Sequence, residues 1–270
     1  MPNRITRRAL LGTTPLIVAQ VALGAQSRED VATSKAVDPH FPSQDPTRVR
    51  EMVAVSHGNL QRVRELVEAS PALAKATWDW GFGDWETALG AASHTGRRRI
   101  AELLIANGAR PDIFTFAMFG RLEVVKAYVQ ADPGIQRTPG PHGITLLWHA
   151  EKGGEQAAGV LEYLTSLGDA DNGPESMPLS DDEKKTYVGE YAFGAGPENR
   201  LRIEVSRGGL LGIRRGPKGT MRRLLYLGDH AFHPAGARAV RIRFTVREGI
   251  AVALSVHDPE PILEARRAKA

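Results

Sequence analysis

The hydrophobic period of this chain changes once, across Asn172-Gly173-Pro174-Glu175-Ser176-Met177-Pro178, and that change limits what it can fold into. Before this segment apolar residues recur three and four positions apart, as on one face of a helix; after it they alternate, as on a strand. The segment itself is dense in turn formers and reads as a linker. Beyond it, Leu201, Ile203 and Val205 alternate with Arg200, Arg202 and Glu204, and Val240, Ile242, Phe244 and Val246 with Arg241, Arg243 and Thr245. Short strand-like stretches at 187–193, 200–206, 210–214, 221–227, 231–234, 239–246 and 250–256 are separated by Gly, Pro, Asn or Asp. One apolar and one basic face predict an antiparallel sheet curled around a core. A multidomain α + β chain is therefore expected: helices over 46–172, a linker over 173–185 with a short capped turn at 179–185, and a β domain over 186–267.

Charge follows the same division. Residues 26–179 hold 15 Lys and Arg against 20 Asp and Glu, whereas residues 180–270 hold 17 against 11. An acidic first half is a poor partner for phosphate backbones, so nucleic acid is not expected. The basic residues Arg214, Arg215, Lys218, Arg222 and Arg223 surround one expected hairpin and read as a solvated sheet face. With no Cys in 270 residues, thiol nucleophiles, iron–sulfur clusters and Cys-zinc sites are excluded.

Within the helical half, Gly58, Gly96, Gly120 and Gly153 mark similar stretches. Five and eight positions after each stand Val63 and Leu66, Ala101 and Leu104, Val125 and Tyr128, and Ala158 and Leu161, a helical face. Thr87-Ala88-Leu89-Gly90-Ala91-Ala92-Ser93-His94-Thr95-Gly96, with Leu103-Leu104 and Asn107-Gly108-Ala109, resembles the ankyrin repeat pattern. Thr145-Leu146-Leu147-Trp148-His149-Ala150 opens a similar unit. The resemblance implies an α-helical ankyrin-repeat solenoid of about four repeats over 46–172, whose groove engages a protein or peptide.

The β half carries Tyr187-Val188-Gly189-Glu190-Tyr191, Gly209-Leu210-Leu211, Leu224 before Phe232, and Phe244 before Gly249-Ile250-Ala251. These resemble the lipocalin-like domain appended to serine-β-lactamase-like hydrolases, which implies a small antiparallel β-barrel. No S-x-x-K, G-x-S-x-G, G-x-x-x-x-G-K-[ST] or H-E-x-x-H motif accompanies it.

At the start, Thr6-Arg7-Arg8-Ala9-Leu10-Leu11 precedes an apolar run to about Gly24 and resembles a twin-arginine export signal, with cleavage near residue 25 and a polar leader over 26–45. The resemblance implies a periplasmic or secreted protein, without a transmembrane anchor once the signal is removed.

Three of the four Trp residues fall within Trp78-Asp79-Trp80-Gly81-Phe82-Gly83-Asp84-Trp85-Glu86. Aromatics and carboxylates on a projecting turn form a recognition patch, so Asp79, Trp80, Asp84, Trp85, Glu86 and His94 are the expected partner-binding residues. His57, His94 and His149 recur near the ends of successive first helices and are read as structural, without helix-spaced zinc ligation. Sequence thus points to an exported, non-enzymatic binding protein with no cofactor and no metal, engaging a cell-envelope protein or peptide. Two alternatives are an enzyme or enzyme accessory with an acid/base cleft built from Asp79, Asp84, Glu86 and His94, and a β domain that holds a small apolar ligand.

Overall fold

A computed structural model describes residues 37–171, 173 and 176–268. The expected export signal, and the leader up to residue 36, lie outside the described residues. The chain divides into Met1–Phe41 and a body, Pro42–Ala270. Among the described residues no helix is long and apolar enough to cross a membrane.

The body begins where Asp45 caps α1 (Pro46–Val55), its carboxylate accepting from Thr47 N at 2.8 Å with Pro46 in the first turn. Next come α2 (Leu60–Ala69), a hairpin of β1 (Thr77–Asp79) and β2 (Trp85–Thr87), α3 (Ala88–His94) and α4 (Arg98–Ala106). The helical half ends with α5 (Ile113–Met118), α6 (Leu122–Ala131), α7 (Leu146–Lys152) and α8 (Ala158–Leu167). Side-chain caps start several of them: Asn59 for α2, Thr87 for α3, Asp112 for α5 and Thr145 for α7.

These helices are not arranged as a solenoid of ankyrin repeats, contrary to the expectation for residues 46–172. In a solenoid each unit touches only its neighbours and the core runs on unbroken. Here α3 packs on α1, α5 and also α7. The buried apolar side chains form two separate clusters, one around Met52, Leu73 and Leu104 and the other around Leu146, Val160 and Leu164. The repeated spacing also fails in the third unit, where Tyr128 is exposed, and in the last. Val63, Leu66, Ala101, Leu104 and Val125 are buried as expected, but a 3-10 turn at Gly154–Ala157 shifts α8 by one residue, burying Ala157 and Val160 and exposing Ala158. The local pattern Thr87 to Gly96 does specify a capped helix and a turn, but the stacking of that unit on its neighbours depends on surfaces the motif does not encode.

After the linker, α9 (Asp181–Tyr187) starts with a capping box, Ser180 and Glu183 exchanging hydrogen bonds. It leads into β3 (Gly189–Ala192), β4 (Arg200–Val205), β5 (Leu211–Arg215), β6 (Arg222–Gly228), β7 (Ala231–Pro234), β8 (Arg241–Arg247), β9 (Ile250–Asp258) and β10 (Glu260–Arg267). These antiparallel strands follow one another around a closed barrel, with β10 pairing both β9 and β3. Such a barrel is compatible with the lipocalin-like expectation. Closure leaves no strand edge, and β10 supplies it. Inward-facing Leu201, Ile203, Ile213, Ile242 and Leu254 surround a knot of Tyr187, Tyr191, Phe232 and Phe244, with Tyr187 and Phe232 meeting edge-on at 4.9 Å. These side chains form the apolar core of the barrel.

Candidate metal centre

The β1–β2 hairpin places the first donor. Trp78 pairs with Glu86 and Asp79 with Trp85, so side-chain alternation turns Trp85 and Thr87 outward and Glu86 inward. Glu86 is 0% exposed, whereas Trp85 is 62% exposed. At the hairpin tip Asp79 Oδ1 accepts from Gly81 N at 2.7 Å, and Phe82 packs against the apolar cluster of the barrel. The tip is thereby anchored to the second half of the body.

Three histidines from separate elements converge on the Glu86 carboxylate. His57 follows α1, His94 is the last residue of α3, and His142 occupies the turn Pro141–Gly143. Their Nε2 atoms lie 3.6 Å from Oε2, 2.8 Å from Oε1 and 3.3 Å from Oε1 respectively. One ligating atom from each of the four residues lies within 4.8 Å of all the others. Four N or O donors placed tetrahedrally around an ion at about 2.1 Å stand about 3.4 Å apart, so this set needs little closing to hold one.

The outer atoms of two rings fix what faces inward. His57 Nδ1 donates to the carbonyls of Ala54 and Val53, at 3.1 and 3.2 Å. His142 Nδ1 donates to Asp84 Oδ2 at 2.6 Å. In the neutral ring an Nδ1 proton leaves Nε2 as a lone pair. Lone pairs from imidazoles and a carboxylate that point at one spot repel unless a cation lies between them, and a proton or a metal ion can fill that role. Burial alone raises the Glu86 carboxyl, but where protons rather than a metal ion fill the cluster, hydrogen bonds from His142 and His94 and the charge of protonated His142 and His57 outweigh it and pull the group down to about 2. Trp80 Nε1 donates to Glu86 Oε2 at 2.6 Å and fixes the second oxygen.

A further layer holds the donors. Asp84, 2% exposed, accepts from both the backbone N and Nδ1 of His142, at 2.8 and 2.6 Å. It is also ion-paired with Arg222 of β6, whose Nη2 donates to Ala235 O at 2.8 Å. Burial lowers the Arg222 guanidinium to about 10. The carboxylate leaves no room for a side chain at Gly236, where a Cβ would collide with it and φ is +84°. His142 itself sits at φ 62°, a left-handed conformation that costs energy in a residue other than glycine. The Asp84 bonds hold it there.

Of the six residues expected to bind a partner, Asp84, Glu86 and His94 are buried, Asp79 and Trp80 are half-buried, and Trp85 alone is exposed. The structure therefore brings Glu86 and His94 together with His57 and leaves Trp85 apart. His149, grouped with His57 and His94 in the sequence, remains outside: its ring lies 6.3 Å from that of His94, and its Nδ1 donates to Thr145 O at 2.8 Å. His142 carried no sequence signal, being 48 residues beyond His94 in a Gly-Pro-rich turn with no ligand-spaced neighbour. Of the three histidines read as structural in the sequence, His57 and His94 join this convergence. Of the basic hairpin residues, Arg222 is buried against Asp84 rather than solvated.

A cleft of about 360 Å³ opens onto this cluster, lined by His57, Trp80, His142, Thr220, Met221, Arg222, Arg223 and Ala235. Comparison with protein-family models, curated proteins and solved structures gave no match.

Proposed function

We propose that this chain binds one divalent first-row transition-metal ion on His57, Glu86, His94 and His142 and presents it to the cleft between its two halves. The convergence of three imidazole Nε2 atoms on one buried carboxylate carries the reading. Imidazole suits zinc, cobalt, nickel, copper and iron, whereas calcium and magnesium take oxygen sets. Asp84 serves the usual outer role of a carboxylate on a ligating imidazole, orienting the ring and strengthening it as a donor. His57 and His142 line the cleft, while Glu86 and His94 lie behind them, so an ion held among the four is reachable from solvent. An ion in that position accepts a further ligand from the cleft, either water or a small molecule.

The test is a titration of chelator-treated protein with cobalt(II) and zinc(II), followed by calorimetry and the visible cobalt bands. One equivalent is expected to bind, with the intense bands of a low-coordinate nitrogen–oxygen site. Binding should weaken at least a hundredfold in His94→Ala and Glu86→Gln. Folded protein that takes up neither metal would establish that a shared imidazolium proton, not an ion, joins the cluster.

The exposed indole of Trp85 favours a second reading, a surface contact with a protein or peptide. Capture of a defined partner by wild type and not by Trp85→Ala supports it.

A further inference from the structure

The cleft above the cluster differs in charge from the ligands at its floor. Asp79, Asp84 and Glu86 are its nearby acids, and each is engaged: Asp79 by Gly81 N, Asp84 by Arg222 and His142, Glu86 by the histidines and Trp80. Arg222 and Arg223 stand on the barrel side, and the Arg50 guanidinium lies 5.8 Å from the centre of the Trp80 ring. Three guanidinium groups thus balance three carboxylates, and a bound divalent ion leaves the cleft with an excess of positive charge. Arg222 is 6% exposed and its Nε–H has no acceptor, an unmet donor on the same wall. Arg223 is exposed, lines both this cleft and a second pocket beside Met177 and Leu225, and has no ion-pair partner among the described residues. The remaining lining is apolar or aromatic: Trp80, Met221 and Ala235.

From this arrangement we infer that the cleft takes a small organic acid, its carboxylate drawn to the ion and to Arg223 and its apolar body set against Trp80 and Met221. The inference rests on the metal reading given above. The volume, about 360 Å³, is at the lower end of that of small-molecule sites and suits a compact ligand. A carboxylate satisfies three demands at once: it offsets half of the excess charge, offers an oxygen to the ion, and offers a second oxygen to the guanidinium fork of Arg223. The Trp80 ring is held by its bond to Glu86, so the wall it presents is preorganised.

The experiment uses the full chain loaded with cobalt(II), with benzoate, benzyl alcohol and inorganic phosphate as probes and the cobalt bands as readout. Benzoate is expected to shift the bands in a saturable way. Benzyl alcohol, of similar shape and no charge, should leave them unchanged. Arg223→Ala should weaken benzoate binding about tenfold with cobalt affinity retained, and Arg223→Lys should recover part of the loss. If the cobalt site forms and benzoate has no effect, or benzyl alcohol acts equally, the organic-acid inference is overturned while the metal reading stands. A response to phosphate alone replaces it with an inorganic oxyanion. If no cobalt site forms, the metal reading fails, and this inference with it.

Discussion

His142 and Asp84 are joined twice, through the His142 backbone N and through its ring Nδ1, at 2.8 and 2.6 Å, although 58 residues separate them in the chain. The double bond to one carboxylate holds a left-handed histidine in place and aims its Nε2 at Glu86. Asp84→Asn keeps the shape but removes the charge that polarises the ring. Its metal affinity is expected to fall by about 10–100-fold, the usual cost of losing such an outer carboxylate. Calorimetry on the variant and wild type measures it, and an unchanged affinity would show that Asp84 serves stability alone.

Arg222 connects the barrel to the hairpin. Its removal leaves Asp84 buried with His142 as its remaining side-chain partner. Breaking a buried pair from one side costs about 3–5 kcal/mol, so Arg222→Met should lower stability by an amount in that range. The double variant Arg222→Met, Asp84→Asn removes both charges and should recover much of the loss. Urea unfolding of the four proteins forms a double-mutant cycle, and additive losses would rule out the coupling.

His149 gives a pH dependence that can be isolated. It is 0% exposed, and burial pushes its imidazole down to about 4, with the Thr145 carbonyl partly opposing the shift. The folded chain keeps this ring neutral, whereas the unfolded chain protonates it below about pH 6.5. The stability it supports is therefore complete above pH 6.5 and is lost as the pH falls towards 4. A difference of this size between folded and unfolded values corresponds to about 3 kcal/mol. Urea unfolding with chelator present should show wild type losing about that much more than His149→Gln between pH 7.5 and 4. Parallel losses in the two proteins would remove His149 as the cause.

How much of this was legible in the sequence depends on how local each feature is. The β-barrel was, because alternation in 200–205 and 241–247 is a property of neighbouring residues. The closing strand β10 was not: Glu260-Pro261-Ile262-Leu263-Glu264-Ala265-Arg266-Arg267 does not alternate cleanly, and its register shifts between Pro261 and Leu263. The ankyrin-like motif fixed a capped α3 but not its packing against α7, which depends on contacts such as Trp148 Nε1 to His94 O at 3.0 Å. At the centre, Glu86 and His94 stood out because they lie eight residues apart beside a Trp cluster. His57 was linked to His94 by its matching place at the end of a first helix, whereas His142 and Arg222 join them only through tertiary folding, and no spacing rule connects them.

The barrel interior offers a prediction independent of any ligand. Phe232 is 0% exposed and meets Tyr187, Tyr226 and Phe244 at ring separations of 4.9, 5.0 and 5.5 Å. Truncation to alanine removes these contacts and leaves a hole that a closed sheet cannot collapse to fill, since every strand is paired on both sides. A loss of about 3–5 kcal/mol follows, the range for a buried aromatic. Phe232→Leu retains most of the volume and should lose clearly less. Because Phe82 of the hairpin tip packs against the same cluster, Phe232→Ala should also weaken cobalt binding, the strained loop between Trp80 and Asp84 having lost part of its anchor. Urea unfolding and cobalt titration of the two variants test both effects. Loss of stability with cobalt affinity intact would show that the bonds of Asp84 to Arg222 and His142, without Phe82, are sufficient to hold the donors.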